Sequence, residues 1–423
     1  MAAPMFRAAR DAAIGRLWGA MALSALADQS FNVVLSWVAV VAFGTAAGYL
    51  AVLQGVVGLG VALLVGHFAD RFAPLAVMRA SLLLRAAMLG LVAGTWAVAG
   101  QPVGWVLVLA VAVLAAGMAM FRPAVQGALP GLAREASMLP AANALVDTTE
   151  RIARLLGPGL LSLAAGVVPL VWFVGLEMAG FLGAALVVAA LARRFPVAPA
   201  RTVREGMTTA VARGFVAVRR HRLLFMLLLM TAPMNGAWYA AMFLGTPLII
   251  EASGIRVGGA GLAAFGLVIA TYGGANLAAT LVVGNLAQPR RPGLVILWGY
   301  AVLGAGIVGM GFAALLLPAG LVLAGLLAGA ALSGAGAPMM DVPTATVRQT
   351  ELPRRDLPAA VRAFMVVNYL GLLGVLAVAP WVFDTIGVAL SVAMCGGVIT
   401  AMGVWGLVWG DAGGVRRGVD ATR

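Results

Sequence analysis

The sequence predicts an all-α membrane protein, twelve transmembrane helices set in two pseudo-symmetric six-helix bundles. Three observations predict it. Of 423 residues, 63% are hydrophobic and only 10% charged, far too little polar surface to cover a water-soluble fold. The apolar residues run on continuously for about 20 residues or more, the length a helix needs to cross a bilayer, and do not alternate with the period of two that a barrel strand shows. Finally, two sets of short polar stretches repeat each other at a common offset of about 218 residues. Gly66, Ala69 and Pro74, then Leu139-Pro140-Ala141-Ala142, match Gly284, Ala287 and Pro292, then Leu357-Pro358-Ala359-Ala360. A shared offset in the gaps between apolar runs is the trace that duplication of a helical bundle leaves.

Taken in order, the spans fall at roughly 16–43, 47–69, 77–99, 103–127, 139–166 and 169–192, then 223–250, 258–287, 293–314, 318–346, 357–383 and 386–410. Residues 1–192 form the N-terminal bundle, 193–222 a cytoplasmic linker, and 223–423 the C-terminal bundle with a cytoplasmic tail. Within the linker, Val203, Met207, Val211, Phe215 and Val218 recur at spacings of three or four among arginines, the pattern of an amphipathic helix lying along the inner membrane surface.

The net charge of +13 comes without a single lysine. Its arginines gather in every second loop. Arg7, Arg10 and Arg16 precede the first span, Arg71 and Arg79 flank the second loop, Arg122 and Arg134 the fourth, and Arg193, Arg194, Arg201, Arg204, Arg213, Arg219, Arg220 and Arg222 fill the linker. Arg290 and Arg291 follow span eight, and Arg348, Arg354, Arg355 and Arg362 surround the tenth loop, whereas Arg256 alone sits on the other side. This is the positive-inside pattern, with both termini in the cytoplasm of a cell whose inner membrane the chain crosses. Charges spread over many short loops exclude a nucleic-acid partner.

The first fifteen residues hold Arg7, Arg10 and Asp11 and no separate apolar core with a cleavage site, so no removable signal is expected. A lone Cys395 and only two histidines, His67 and His221, rule out a disulfide framework and a histidine metal cluster. No nucleotide-binding glycine loop or nuclease carboxylate cluster occurs. Neither enzyme chemistry nor a cofactor is expected.

Several motifs carry a family resemblance. Gly66-His67-Phe68-Ala69-Asp70-Arg71 resembles the Gly-x-Leu-Ala-Asp-Arg core of the signature loop of the major facilitator superfamily, and Asp28-Gln29-Ser30-Phe31-Asn32 resembles the Gly-Asp-Gln-Leu-Phe pattern of its branch of enterobactin exporters and macrolide efflux pumps. Phe121-Arg122-Pro123-Ala124, Leu129-Pro130, Ala142-Asn143-Ala144-Leu145, Gly157-Pro158 and Tyr272-Gly273-Gly274 are similar to the same branch. The second-half copy of the signature loop has Gln288 where the first has Asp70. The resemblance implies a twelve-helix secondary transporter. It also implies a cytoplasmic gate at Gly66, Asp70 and Arg71, and a Gly157-Pro158 element of the kind typical of exporters.

The residues themselves nominate sites. Asp28 lies about 12 residues into the first span, roughly 18 Å from its cytoplasmic end, and Ser24, Asp28, Asn32 and Ser36 form one polar stripe. A carboxylate at that depth is costly and persists with a partner or a use; proton exchange and a structural hydrogen bond to neighbouring helices are both open. Glu177, about 8 residues into the sixth span, is the second candidate for proton coupling. Asp147 with Arg151, and Glu150 with Arg154, are spaced for i,i+4 neutralisation, while Arg154, one turn before the bend expected at Gly157-Pro158, is a candidate for an anionic substrate. Asp341 suits a gate or an ordinary interfacial position. Asn235, Trp238, Tyr239, Tyr272, Asn276 and Asn368, with Asn32, suit a cavity for a large, mostly apolar ligand, although Trp238 and Met242 read equally as core or lipid-facing residues.

The expected function is proton-coupled export of an amphiphilic small molecule, drug-like or siderophore, by a monomer working by alternating access. Import or facilitated passage of a siderophore, sugar derivative or lipid is the alternative, and a non-transporting scaffold or receptor is a third reading.

Overall fold

The structure, a computed structural model, describes residues 2–69, 72–133, 138–198, 207–286, 291–353 and 356–409. It is all helix, with no β-strand among the described residues. The helices are α1 (Ala2–Arg10), α2 (Ala12–Phe43), α3 (Ala47–Ala69), α4 (Pro74–Ala99), α5 (Gly104–Leu132), α6 (Leu139–Ala164), α7 (Leu170–Arg194), α8 (Met207–Arg219), α9 (Arg222–Tyr239), α10 (Thr246–Ala252), α11 (Gly261–Asn285), α12 (Pro292–Leu316), α13 (Ala319–Glu351), α14 (Leu357–Ile386) and α15 (Val388–Trp409). A helix overlies each apolar run read from the sequence. Among the described residues, ten helical stretches are long and apolar enough to cross a membrane. The first, Ala12–Val61, takes in the first of those runs and most of the second, and α6, which carries Asp147, Glu150, Arg151 and Arg154, is not among the ten.

The chain divides into two compact units, residues 1–42 with 53–203, and residues 43–52 with 204–423. In the first, Asp11 starts α2 by accepting bonds from the backbone of Ala13 (2.9 Å) and Ile14 (3.0 Å), the ordinary service of an N-cap aspartate. Helix α4 packs against both α5 and α7, and the Ser81 hydroxyl fastens α4 to α5 by donating to the Gly117 carbonyl at 2.7 Å. A bonded hydroxyl of this kind is how a membrane bundle satisfies buried backbone and polar groups at once.

In the second unit, α12 packs against α13 and α15 through small residues. A Cβ added to Gly306 would lie 2.5 Å from the Gly329 carbonyl oxygen, and one added to Gly329 would meet the Gly306 carbonyl equally closely. Each helix therefore leaves room for the other's backbone, the small-residue packing expected where lipid supplies no hydrophobic drive between helices.

Within the linker, α8 runs from Met207 to Arg219. Its apolar side is not free for a membrane surface: Val218, with Phe215 against it, packs with Leu224, Leu228, Val347, Leu352, Ala360 and Phe364. Gly214 sits directly on the Ala359 carbonyl, with no space for a side chain. An amphipathic stripe reports only that an apolar surface is available to cover it, and here α9, α13 and α14 supply that surface. Val203 lies outside the described residues.

Candidate functional site

Asp28 does not stand alone in the first unit. The Arg85 Nη1 donates to Asp28 Oδ1 at 2.7 Å, and Arg85 Nη2 donates to Ser24 Oγ at 3.3 Å. Ser24 Oγ in turn donates to Asp28 Oδ2 at 3.3 Å, closing a small polar ring. The Arg85 side chain has no exposed surface, while that of Asp28 keeps 18%. The guanidinium carbon lies 4.3 Å from the centre of the Phe181 ring and 5.1 Å from that of Phe121, so aromatic faces from α7 and α5 add cation–π attraction to the ion pair. Gly117 makes the arrangement possible, since a Cβ there would fall 2.7 Å from Arg85 Cγ and 2.9 Å from Cδ.

Glu177 lies one turn before Phe181 on α7, is buried at 4% exposure, and neither of its carboxylate oxygens has a hydrogen-bond partner among the described residues. Asp28 is near enough for the two carboxyl groups to repel when both are charged. Asp28 thus has Arg85 as its ion-pair partner and Glu177 as a second acid within electrostatic reach. Both acids stand out in the sequence as site candidates, and Arg85 is the member that sequence reasoning missed. The available signal was a lone arginine about 8 residues inside an apolar run, a group that requires an anion within the bundle.

A cavity of about 430 Å³ opens beside this centre, lined on α2 by Met21, Ser24, Ala25, Asp28 and Gln29, on α5 by residues from Met118 to Leu129, and on α6 by residues from Asn143 to Glu150. Its size suits a small ligand. Asn32, one turn beyond Asp28, is half-buried but is not part of this lining. On the far wall Glu150 pairs with Arg122 on α5 at 3.1 Å, not with Arg154 as its spacing suggested. Helix α5 lies close enough to compete with a partner on the same helix. Asp147 and Arg151 do stand as an i,i+4 pair, a loose one at 3.9 Å with Asp147 largely exposed. Arg154 is half-buried and is not part of the cavity lining.

Helix α6 continues unbroken through Gly157 and Pro158. What Gly157 does there is admit α2: a Cβ would lie 3.0 Å from Gln29 Cβ and 3.1 Å from the Ser30 nitrogen. Of the predicted gate, Gly66 falls within α3, while Asp70 and Arg71 lie outside the described residues. Asp341 is exposed on α13, near Arg348 and Tyr300.

The second unit gathers aromatic rings. Trp238 lies 5.5 Å from Tyr272 and 5.7 Å from Phe243 between ring centres, Tyr239 stacks on Phe243 at 4.9 Å, and Phe243 meets Phe265 edge-on at 6.4 Å. These contacts bring Trp238, Tyr239 and Tyr272 together with Phe243 and Phe265. The cause is a π-helical stretch, Ala240–Gly245, between α9 and α10. Pro247 cannot donate into the helix, and the Thr246 hydroxyl bonds the Ala241 carbonyl at 3.0 Å; the widened turn re-aims Phe243, as such bulges do at functional sites. Met242 is fully buried, hence core.

The amides divide. Asn235 donates to the Thr231 carbonyl at 3.1 Å within its own helix, and Asn276 reaches the Gly334 carbonyl of α13 at 3.5 Å; both are at least partly engaged in structure. The Trp238 Nε1 and Asn368 Oδ1 are different, because each is buried without a hydrogen-bond partner among the described residues. An unmet donor and an unmet acceptor are costly where no water replaces them.

Ten helical stretches long and apolar enough to cross a membrane, among the described residues, mark a multi-pass membrane protein. The sequence pattern of the Major Facilitator Superfamily matches residues 17–375, and the chain belongs to that family of secondary transporters, which carry small molecules and are not enzymes. Solved structures of the same fold include a peptide transporter POT in complex with sulfate, 14% identical, covering 96% of either chain with a TM-score of 0.69. An auto-inhibited POT family peptide transporter, 12% identical, covers 97% of this chain and 98% of its own, with a TM-score of 0.70. A bacterial metal transporter, also 12% identical, covers 94% and 98% with a TM-score of 0.61. No curated protein shows a significant sequence match to the chain.

Proposed function

We propose that this transporter exports an amphiphilic small molecule by alternating access, driven by proton entry through the Asp28 and Glu177 centre. The observation that carries the reading is the pairing of Asp28 with the fully buried Arg85 beside a cavity, with the unpartnered Glu177 next to it. A structural ion pair needs one acid. A second acid, buried and unbonded, is maintained at a cost that proton handling explains.

The cargo class follows from the second unit, whose rings offer broad apolar contact while Trp238 Nε1 and Asn368 Oδ1 each await a single polar partner. This pattern suits a drug-like compound or a siderophore with a few polar handles, in line with the resemblance to enterobactin exporters and macrolide pumps. The further assignments are twelve spans, bundles at 1–192 and 223–423, a gate formed by Gly66, Asp70, Arg71 and Asp341, cytoplasmic termini in a bacterial inner membrane, and function as a monomer. The arginine-rich alternate loops support that orientation.

Substrate-induced proton release from the purified protein tests the reading, with wild type compared with Asp28→Asn across dyes, macrolides and catecholate siderophores. Release by wild type that is lost in the variant supports antiport and identifies a ligand class. Binding without release in either protein replaces antiport by a facilitator or a carrier coupled to another ion.

A further inference from the structure

Helix α1 (Ala2–Arg10) takes no part in the sites described above, yet its neighbours fix where it lies. One residue, Asp11, separates it from α2, which opens a stretch long and apolar enough to cross a membrane. The join is a tight bend. A Cβ added to Gly15 would run into the Ala9 carbonyl, and the Asp11 carboxylate caps α2 through the backbone of Ala13 and Ile14. One side of α1 belongs to the protein: the helix packs against α6, and Ala8 is fully buried.

The other side has a different character. At about 100° per residue, Phe6, Arg7 and Arg10 share roughly one third of the helix circumference, with Ala8 nearly opposite. All three are exposed, Phe6 to 61%. The Arg10 guanidinium carbon lies 5.2 Å from the centre of the Phe6 ring, so a cation and an apolar ring occupy one patch. Arg16, bonded through Nη1 to the Ala12 carbonyl at 2.9 Å, adds a third positive charge beside the bend. Asp11 is the one acid among residues 1–16, and it is engaged in capping.

We propose that the Phe6, Arg7 and Arg10 face of α1 binds an anionic glycerophospholipid of the leaflet in which α2 begins. The Phe6 ring enters the outer part of the acyl layer, and the guanidinium groups reach the phosphate and the acidic headgroup, which their planar forks fit. Two observations favour lipid over a protein partner. The charge is complementary, three arginines standing against a single engaged acid. Position is the second: a helix one residue from a membrane span stays within the headgroup layer, where a soluble protein would have to displace lipid from a bare aromatic ring. The site requires no particular cargo or coupling ion.

Photocrosslinking of the full-length protein tests the site, with p-benzoylphenylalanine in place of Phe6 and the protein in nanodiscs of equal parts phosphatidylglycerol and phosphatidylcholine. The mass of the adduct identifies the molecule that touches position 6. Phosphatidylglycerol adducts should exceed phosphatidylcholine adducts by about fivefold for each arginine that engages the headgroup. Arg7→Gln combined with Arg10→Gln should bring the two lipids to parity; should that variant fail to fold, Arg10→Gln alone should lower the ratio about fivefold. Equal yields with both arginines present, or an enrichment that survives their loss, overturn the site. Adducts to a copurifying protein, or none to lipid, overturn it as well by giving the face to a protein partner or to water. Glycerol 3-phosphate added in solution should leave the ratio unchanged, and a fall to parity would reject lipid in favour of a soluble phosphate.

Discussion

Arg85 and Asp28 meet at 2.7 Å although 57 residues separate them in the chain, and neither would be tolerated without the other. The pair is asymmetric. Arg85 is sealed among Phe121, Phe181 and Gly117, while Asp28 keeps one side on a cavity, so the cation is anchored and the acid faces whatever enters.

Removing the cation alone is therefore worse than removing both charges. Arg85→Ala leaves Asp28 beside apolar rings and should cost about 3–5 kcal/mol, the usual penalty for breaking a buried pair from one side. The double change Asp28→Asn with Arg85→Gln should recover part of that loss. Thermal unfolding of wild type, Arg85→Gln, Asp28→Asn and the double variant in detergent gives the coupling directly, expected at about 0.5–3 kcal/mol. Strict additivity would mean the two side chains do not depend on one another.

Gly117 is expected to be intolerant for a reason unrelated to helix propensity. A methyl group there collides with the Arg85 stem, whereas one at Gly94 meets nothing within 4 Å. Gly117→Ala should destabilise by about 1–3 kcal/mol through overpacking, and Gly94→Ala should be neutral or stabilising by up to about 1 kcal/mol. Equal melting temperatures for the two variants would remove Gly117 from the account of how Arg85 is held.

The contrast between these residues also shows what one sequence displays. Long apolar runs and the arginine-bearing loops are properties of neighbouring positions, so the helices were legible. Asp28 and Glu177 were legible too, because a carboxylate inside an apolar run has no local explanation. Arg85 is equally anomalous on that criterion, yet it was obscured by a count of arginines that the loops otherwise explained. The Glu150 partnership with Arg122 and the docking of Phe215 and Val218 could not be read locally, because each depends on a helix distant in the chain. The π-helical turn at Ala240–Gly245 left one trace, the Thr246-Pro247 pair.

Trp238 separates stacking from hydrogen bonding in ligand recognition. Trp238→Phe keeps an aromatic ring against Tyr272 and Phe243 but deletes the buried, unmet Nε1 donor. A ligand that accepts from it should lose about 0.5–1.5 kcal/mol of affinity, and Trp238→Ala more, since the stacked pairs contribute as well. Equilibrium binding of ethidium, a macrolide and a catecholate siderophore to each variant measures this. Unchanged Kd values for Trp238→Phe across the panel would confine the residue to packing.

Gly214 tests whether the linker helix is part of the second unit in solution. A Cβ at this position would collide with the Ala359 carbonyl, and Phe215 and Val218 follow it into the cluster formed by Leu224, Val347, Leu352 and Phe364. A valine at 214 cannot fit without lifting α8, which would return the apolar face of that helix to water or lipid. Amide hydrogen exchange should then rise across Met207–Arg219 while the core of α12 and α13 stays protected, since a segment opens locally when its own apolar packing is removed. Phe215→Asp should act in the same direction by placing an unpaired charge in the cluster. Protection of α8 that is unaffected by either substitution would show that its helix is held by something other than this apolar seat.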